Sequence, residues 1–171
     1  MERCNLIILG VDPGLAIVGY GVVDYTNNRF TTMAYGAITT PAHTAVEDRL
    51  KIIYDKMTGL ISLYHPADMA IEELFFNTNT TTGISVAEAR GVCLLAARQQ
   101  NVGIFEYTPL QVKQSVVGYG RAEKKQVMLM TKTILGLEKM PKLDDTADAL
   151  AIAVCHAHTG GSKIRNYYNL K

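Results

Sequence analysis

Apolar residues recur with two different periods along this chain. Residues 6–11 (LIILGV) form a short apolar run ending at a turn, and 17–25 (IVGYGVVDY) and 30–39 (FTTMAYGAIT) are rich in β-branched and aromatic residues. Gly and Asn lie between these runs, which predict three consecutive strands in an antiparallel meander. The period then changes: Val46, Leu50, Ile53, Met57, Leu60, Ile61 and Tyr64 recur at helical spacing until Pro66, and Thr44 with Glu47 has the spacing of a capping box. Residues 68–75 (DMAIEELF) read as a short buried strand, followed by a Thr/Asn-rich loop at 77–82. Ser85 and Glu88 have capping-box spacing for a helix to about Gln100, and 103–108 (GIFEYT) reads as a fifth strand. Pro109 suits the first turn of a helix through 110–117, Gly118 and Gly120 break it, and 122–135 reads as a helix ended by Gly136. A last helix runs from about Asp145 to His158.

The 171 residues have the length of one domain, expected to span residues 1–160. After Gly160 the sequence has no apolar periodicity, so 161–171 is expected to be a loosely held tail. Nearly half the residues are hydrophobic and about a fifth charged, which excludes a disordered chain. The first apolar run is too short for a signal peptide and no stretch is long enough to span a bilayer, so the expected location is cytoplasmic. Cys4, Cys93 and Cys155 are odd in number, widely spaced and set among apolar neighbours. They read as core thiols in a reducing compartment. The net charge of +1 conceals segregation: from Thr108 to Lys142, Lys113, Arg121, Lys124, Lys125, Lys132, Lys139 and Lys142 face only Glu123 and Glu138. That stretch is the candidate footprint for a polyanion, with Lys132, Lys139 and Lys142 read as solvated helix faces.

Asp12 stands where the first strand ends in GVDPG, and a carboxylate there is presented at the sheet's edge. Asp-Pro-Gly also suits a plain turn. Glu72 and Glu73 interrupt a buried strand, where adjacent carboxylates are costly to desolvate without a counter-charge. In LDDTADALAIA, Asp145 and Asp148 share a face by their three-residue step, and Asp144 and Asp148 would share one equally well. Capping of the helix accounts for one or two of these acids, hardly for all three. A central sheet crossed by the last helix would gather a strand-end Asp, a neighbouring Glu and the helical Asp pair at one point. Carboxylates so gathered repel unless a divalent cation joins them, and oxygen ligands without His or Cys suit magnesium or manganese. Phosphodiester hydrolysis is the natural chemistry of such a site. His156 and His158 diverge by over half a turn at the end of the last helix, so they are expected to complement its dipole or to have no role.

The segments GVDPG followed by GYGVV, AIEELF, EARGV, FEYTPLQVKQSVVGYGRAEKKQV and DDTADALAIAVCHAH, in order from about residue 7 to 158, resemble the RuvC family of Holliday junction resolvases. The resemblance implies a ribonuclease-H-like α/β fold: a mixed five-stranded sheet, three strands antiparallel and two parallel, with helices on both faces. It implies a structure-selective endonuclease that resolves four-way DNA junctions during recombination and repair. The metal-holding catalytic acids would be Asp12, Glu72, Asp145 and Asp148, with a pair of Mg2+ ions per subunit and Mn2+ as a substitute. Lys113 and Lys124 match basic positions near the scissile phosphate, Phe75 matches an aromatic that stacks on a base, and Arg121 and Lys125 would touch phosphates farther out. The implied partners are junction DNA, a second copy of the chain and a branch-migration helicase complex of the RuvA and RuvB type. Small residues Ala87, Gly91, Ala96 and Ala97 would permit the close helix contact of a homodimer. Three rivals remain. Actin-like ATPases and sugar kinases need two such domains, YqgF-type ribonucleases lack the VKQ-to-AEK stretch, and a catalytically dead scaffold would not keep the full set of acids.

Overall fold

A computed structural model describes residues 6–74 and 80–160. Strands β1 (Leu6–Asp12), β2 (Ile17–Thr26) and β3 (Arg29–Thr39) form the expected meander. Helix α1 (Val46–Tyr64) leads to β4 (Asp68–Glu72), and α2 (Thr80–Gln99) leads to β5 (Gly103–Tyr107). The last three elements are α3 (Pro109–Val117), α4 (Lys124–Leu135) and α5 (Asp144–Gly160). The sheet order is β3-β2-β1-β4-β5, with β1–β2 and β2–β3 antiparallel and β1–β4 and β4–β5 parallel. No described helix is long and apolar enough to cross a membrane.

Period-two alternation divides the sheet's two faces. Leu9, Val11, Met69 and Ile71 are buried with Ile53, Met57 and Ile61 of α1 and Ala89, Cys93, Ala96 and Ala97 of α2. Ile8, Ala70 and Tyr107 are buried on the other face with α5 and with Val112, Val116 and Val127 of α3 and α4. Helix α5 is enclosed on nearly every side, as its apolar sequence requires, from Thr146 to Ala157 apart from Asp148.

What lets α5 lie so close is glycine. A Cβ on Gly10 would stand 2.0 Å from the Ala149 carbonyl oxygen, and one on Gly19 would stand 2.0 Å from that of Asp145. Helix and sheet therefore meet main chain to main chain, and the Thr146 hydroxyl adds a hydrogen bond to the Gly36 carbonyl (3.0 Å).

Several local expectations are corrected. The residue capping α1 is Ala45, without a side-chain bond, so Thr44 and Glu47 form no capping box. Helix α2 begins at Thr80, which puts 80–82 in the helix and Ser85 inside it rather than at its cap. Strand β4 stops at Glu72, short of residue 75. The capping boxes that do form are Thr108–Gln111 and Glu123–Gln126. Cys93 and Cys155 are buried free thiols. Cys4, loop residues 77–79 and the tail at 161–171 lie outside the described residues.

His156 is no solvent-facing dipole partner. It is 1% exposed, and its Nε2 lies 3.0 Å from Asp68 Oδ2, an oxygen that can only accept from it. Its Nδ1 is thereby left to accept from the Tyr107 hydroxyl at 2.7 Å, and its ring lies against Phe105. Burial of a polar ring demands such partners, and here they fasten the end of α5 to the start of β4 and to β5. His158, at the helix end, lies 3.1 Å from the Ser115 carbonyl.

Candidate active site

Asp12 is the last residue of β1 and Glu72 the last of β4. The parallel register pairs Val11 with Ile71, so one step further the two acids stand at adjacent strand ends. Alternation puts both on the face that carries Ile8, Ala70 and α5. Asp12 also pairs with Gly19, over which the Asp145 backbone lies, so the first turn of α5 is set down directly above the strand ends. Sheet register and helix crossing together bring Asp145 and Asp148 to Asp12 and Glu72.

The charges of these groups act on one another. Asp12 is pushed from 3.8 to about 8, first by burial and then by the negative charges of Glu72, Asp148 and Asp145, with Lys124 opposing. Glu72 is raised by burial and by Asp148, against Lys124. Asp148 is raised by burial and by Asp144 and Asp145, while a hydrogen bond from Lys124 opposes the rise. Lys124 Nζ lies 2.9 Å from Asp148 Oδ2 and 3.3 Å from Asp144 Oδ2. Partial burial favours its neutral form, but those bonds and charges raise it above the usual lysine value. Of the doubled acids, Asp145 acts on Asp12 while Asp144 is drawn to Lys124. Among the described residues no three His, Cys, Asp or Glu groups stand close enough to enclose an ion as they are.

Among the described residues, the other expected site residues make no ion pair with these acids. Lys113 is half-buried on α3, Arg121 and Lys125 are exposed before and within the first turn of α4, and among the described residues none makes an ion pair. Phe75 lies outside the described residues. The sequence reading missed Arg90, whose Nη2 lies 2.8 Å from Glu106 Oε2 and whose Nε donates a long bond of 3.4 Å to the Glu72 carbonyl. Ala96 and Ala97 are fully buried in the chain's own core and are not available to a partner helix. Gly91 is exposed, between exposed Ile84 and Leu95.

The raised Asp12 value has a measurable consequence. A carboxyl with its folded value above its unfolded one stabilises the fold fully below about pH 4, and that contribution is lost as pH rises through about 8. In EDTA, the melting temperature is expected to fall across that window and Asp12→Asn to remove most of the fall. Equal slopes in both proteins would show that the Asp12 carboxyl is not the group responsible.

A five-stranded sheet of this order, with an acid at the end of its first strand, a Glu beside it and an Asp pair on a crossing helix, defines a ribonuclease-H-like nuclease. The family model for crossover junction endodeoxyribonuclease RuvC matches residues 8–156, and the chain belongs to that family. It is 61% identical over 155 residues to the crossover junction endodeoxyribonuclease RuvC of Alkaliphilus oremlandii, covering 91% of this chain and 94% of the relative. The solved RuvC of Thermus thermophilus superimposes with a TM-score of 0.85 at 32% identity, over 91% of this chain and 95% of that one. The same protein in complex with a Holliday junction substrate gives a TM-score of 0.86 at 33% identity, over 91% and 94%.

Proposed function

We propose that this chain is a homodimeric endonuclease that resolves four-way DNA junctions by symmetric, divalent-metal-dependent hydrolysis of two phosphodiesters in recombination and repair. The observation that carries the reading is the convergence of Asp12, Glu72, Asp145 and Asp148 at one end of the sheet, in a chain of this family.

The donor set fits a hard divalent cation. It is all carboxylate, and Asp12 is raised first by burial and then by the negative charges of its neighbours, a setting that favours a bound cation. Asp12, Glu72, Asp145 and Asp148 would hold a pair of magnesium ions, with manganese as a substitute. When bound, such ions supply Lewis-acid stabilisation of the phosphoryl oxygens and of the oxygen that leaves. Lys124, already beside Asp148, places positive charge next to the scissile phosphate, and Lys113 adds to it from α3. Arg121 and Lys125 bind backbone phosphates, which set register without reading sequence. Phe75 stacks on a base at the crossover. Water adds to phosphorus, the 3′-oxygen leaves with a proton, and the strand is left nicked.

The exposed stripe of Ile84, Gly91 and Leu95 on α2 supports a two-fold partner helix, and two copies give a two-fold junction one site per strand. A branch-migration helicase complex of the RuvA and RuvB type is the partner this reading implies, in the cytoplasm.

The test is cleavage of a labelled four-way junction beside a linear duplex of the same sequence and a structured RNA, with Mg2+, Mn2+ or EDTA. Paired symmetric nicks in the junction, with either metal and not in EDTA, are expected. Junction binding without cutting in any divalent metal would favour a scaffold, and preference for structured RNA a ribonuclease.

A further inference from the structure

The turn that follows Asp12 is held by the residue that follows β3. Residues 13–16 lie between the Asp12–Gly19 pair and the start of β2, and no β1 partner fixes them. Thr40, just beyond β3 and 9% exposed, takes hold of their far end with two bonds. Its N–H donates to the Ala16 carbonyl (3.0 Å) and its hydroxyl donates to the Leu15 carbonyl (2.6 Å). The same hydroxyl accepts from Nε of Arg49, in the first turn of α1, at 2.8 Å. A hydroxyl that donates to one group and accepts from another has its proton direction fixed, so the three groups form a directed chain from α1 through Thr40 to the turn. Arg49 makes no ion pair among the described residues, and this bond is what orients its guanidinium. The turn has little slack of its own, since a Cβ on Gly14 would stand 2.6 Å from the Ile17 carbonyl oxygen.

We infer that Thr40 and Arg49 are positioning residues for the reaction: by fixing Leu15 and Ala16 they set the exit of the chain from Asp12, and with it the aim of that carboxylate at the other acids. The inference rests on the reading of Asp12 as a cation-holding acid. Outer partners that orient ligands typically contribute 10- to 100-fold in metal affinity or rate, and such an effect is expected from a single hydroxyl here.

The experiment compares wild type, Thr40→Val, Thr40→Ser and Arg49→Met. Mn2+ binding is read by electron paramagnetic resonance, cleavage by single-turnover kinetics on a four-way junction, and junction affinity and melting temperature are measured alongside. Thr40→Val keeps the branched shape and loses the hydroxyl. It is expected to weaken Mn2+ binding and slow cleavage by at least about tenfold, with junction affinity unchanged. Thr40→Ser restores the hydroxyl and should return both to near the wild-type values. Arg49→Met removes only the outer link and should give the same change in smaller degree, which keeps the test open should Thr40→Val fold poorly. If Thr40→Val lowers only the melting temperature, with Mn2+ binding and cleavage intact, the clasp is structural and the inference fails. If wild type itself binds no Mn2+, it is the reading of the acids that fails.

Discussion

Asp12→Asn is expected to lower junction cleavage by about 10³-fold or more while leaving junction affinity undiminished. Asp12 is the acid on which the charges of Glu72, Asp145 and Asp148 all act, so it stands at the centre of the site. Asparagine matches its size and keeps one carbonyl oxygen, but it removes the charge that would hold a cation. The fold should not suffer, because the side chain it replaces is a half-buried carboxyl with a value near 8 that costs stability when ionised. Removing a negative charge beside the DNA backbone should, if anything, tighten binding at low salt. Filter binding in EDTA and gel-resolved cleavage in Mg2+ check the two halves separately. Residual cleavage within tenfold of wild type would remove Asp12 from the catalytic set.

The second large effect is expected at a residue with no side chain. Gly19→Ala would place a methyl group 2.0 Å from the Asp145 carbonyl oxygen and 2.2 Å from its carbon, and these are backbone atoms that no rotamer change can move aside. The first turn of α5 must lift, carrying Asp145 and Asp148 away from Asp12 and Glu72. Overpacking of this kind costs about 3 kcal/mol, a fall of about 6–12 °C in Tm for a chain of this length. A displacement near 1 Å costs about 10²-fold in rate even in protein that remains folded. Gly59→Ala on α1 is the control: nothing lies within 4 Å of its Cβ, and alanine in a helix interior should stabilise by about 0.5–1 kcal/mol. Full activity in Gly19→Ala at a temperature where it is folded would show that α5 can shift without disturbing the acids.

Much of this architecture was legible in the chain because it rests on short-range pattern. The strands and helices follow from apolar spacing, and the acids stand out because Asp12 and Glu72 close largely apolar strands and Asp145 and Asp148 stand in the opening turns of a largely apolar helix. Boundaries were harder. Thr44 and Glu47 have the spacing of a capping box, yet the helix starts at Val46, because spacing does not fix where backbone dihedrals turn helical. What escaped the sequence reading depends on contacts between distant residues. Asp68 lies 88 residues from His156, so the last helix offered no hint that its histidine is a core group. Arg90 and Thr40 are ordinary polar residues until β4 and the first turn of α1 are placed beside them. Asp144 and Asp145 likewise suit the pattern equally, and that Lys124 pairs with Asp144 while Asp145 acts on Asp12 emerges only once α4 and β1 are placed beside them.

The His156–Asp68 bond also gives the site a scale. From Asp68 to Glu72 the strand advances about 13 Å, and from His156 back to Asp148 the helix advances about 12 Å. Strand and helix are thus arms of nearly equal reach, pinned at one end and carrying acids at the other, in the manner of a pair of calipers. The opening between the tips is gauged at the pin, at the opposite ends of β4 and α5 from the acids.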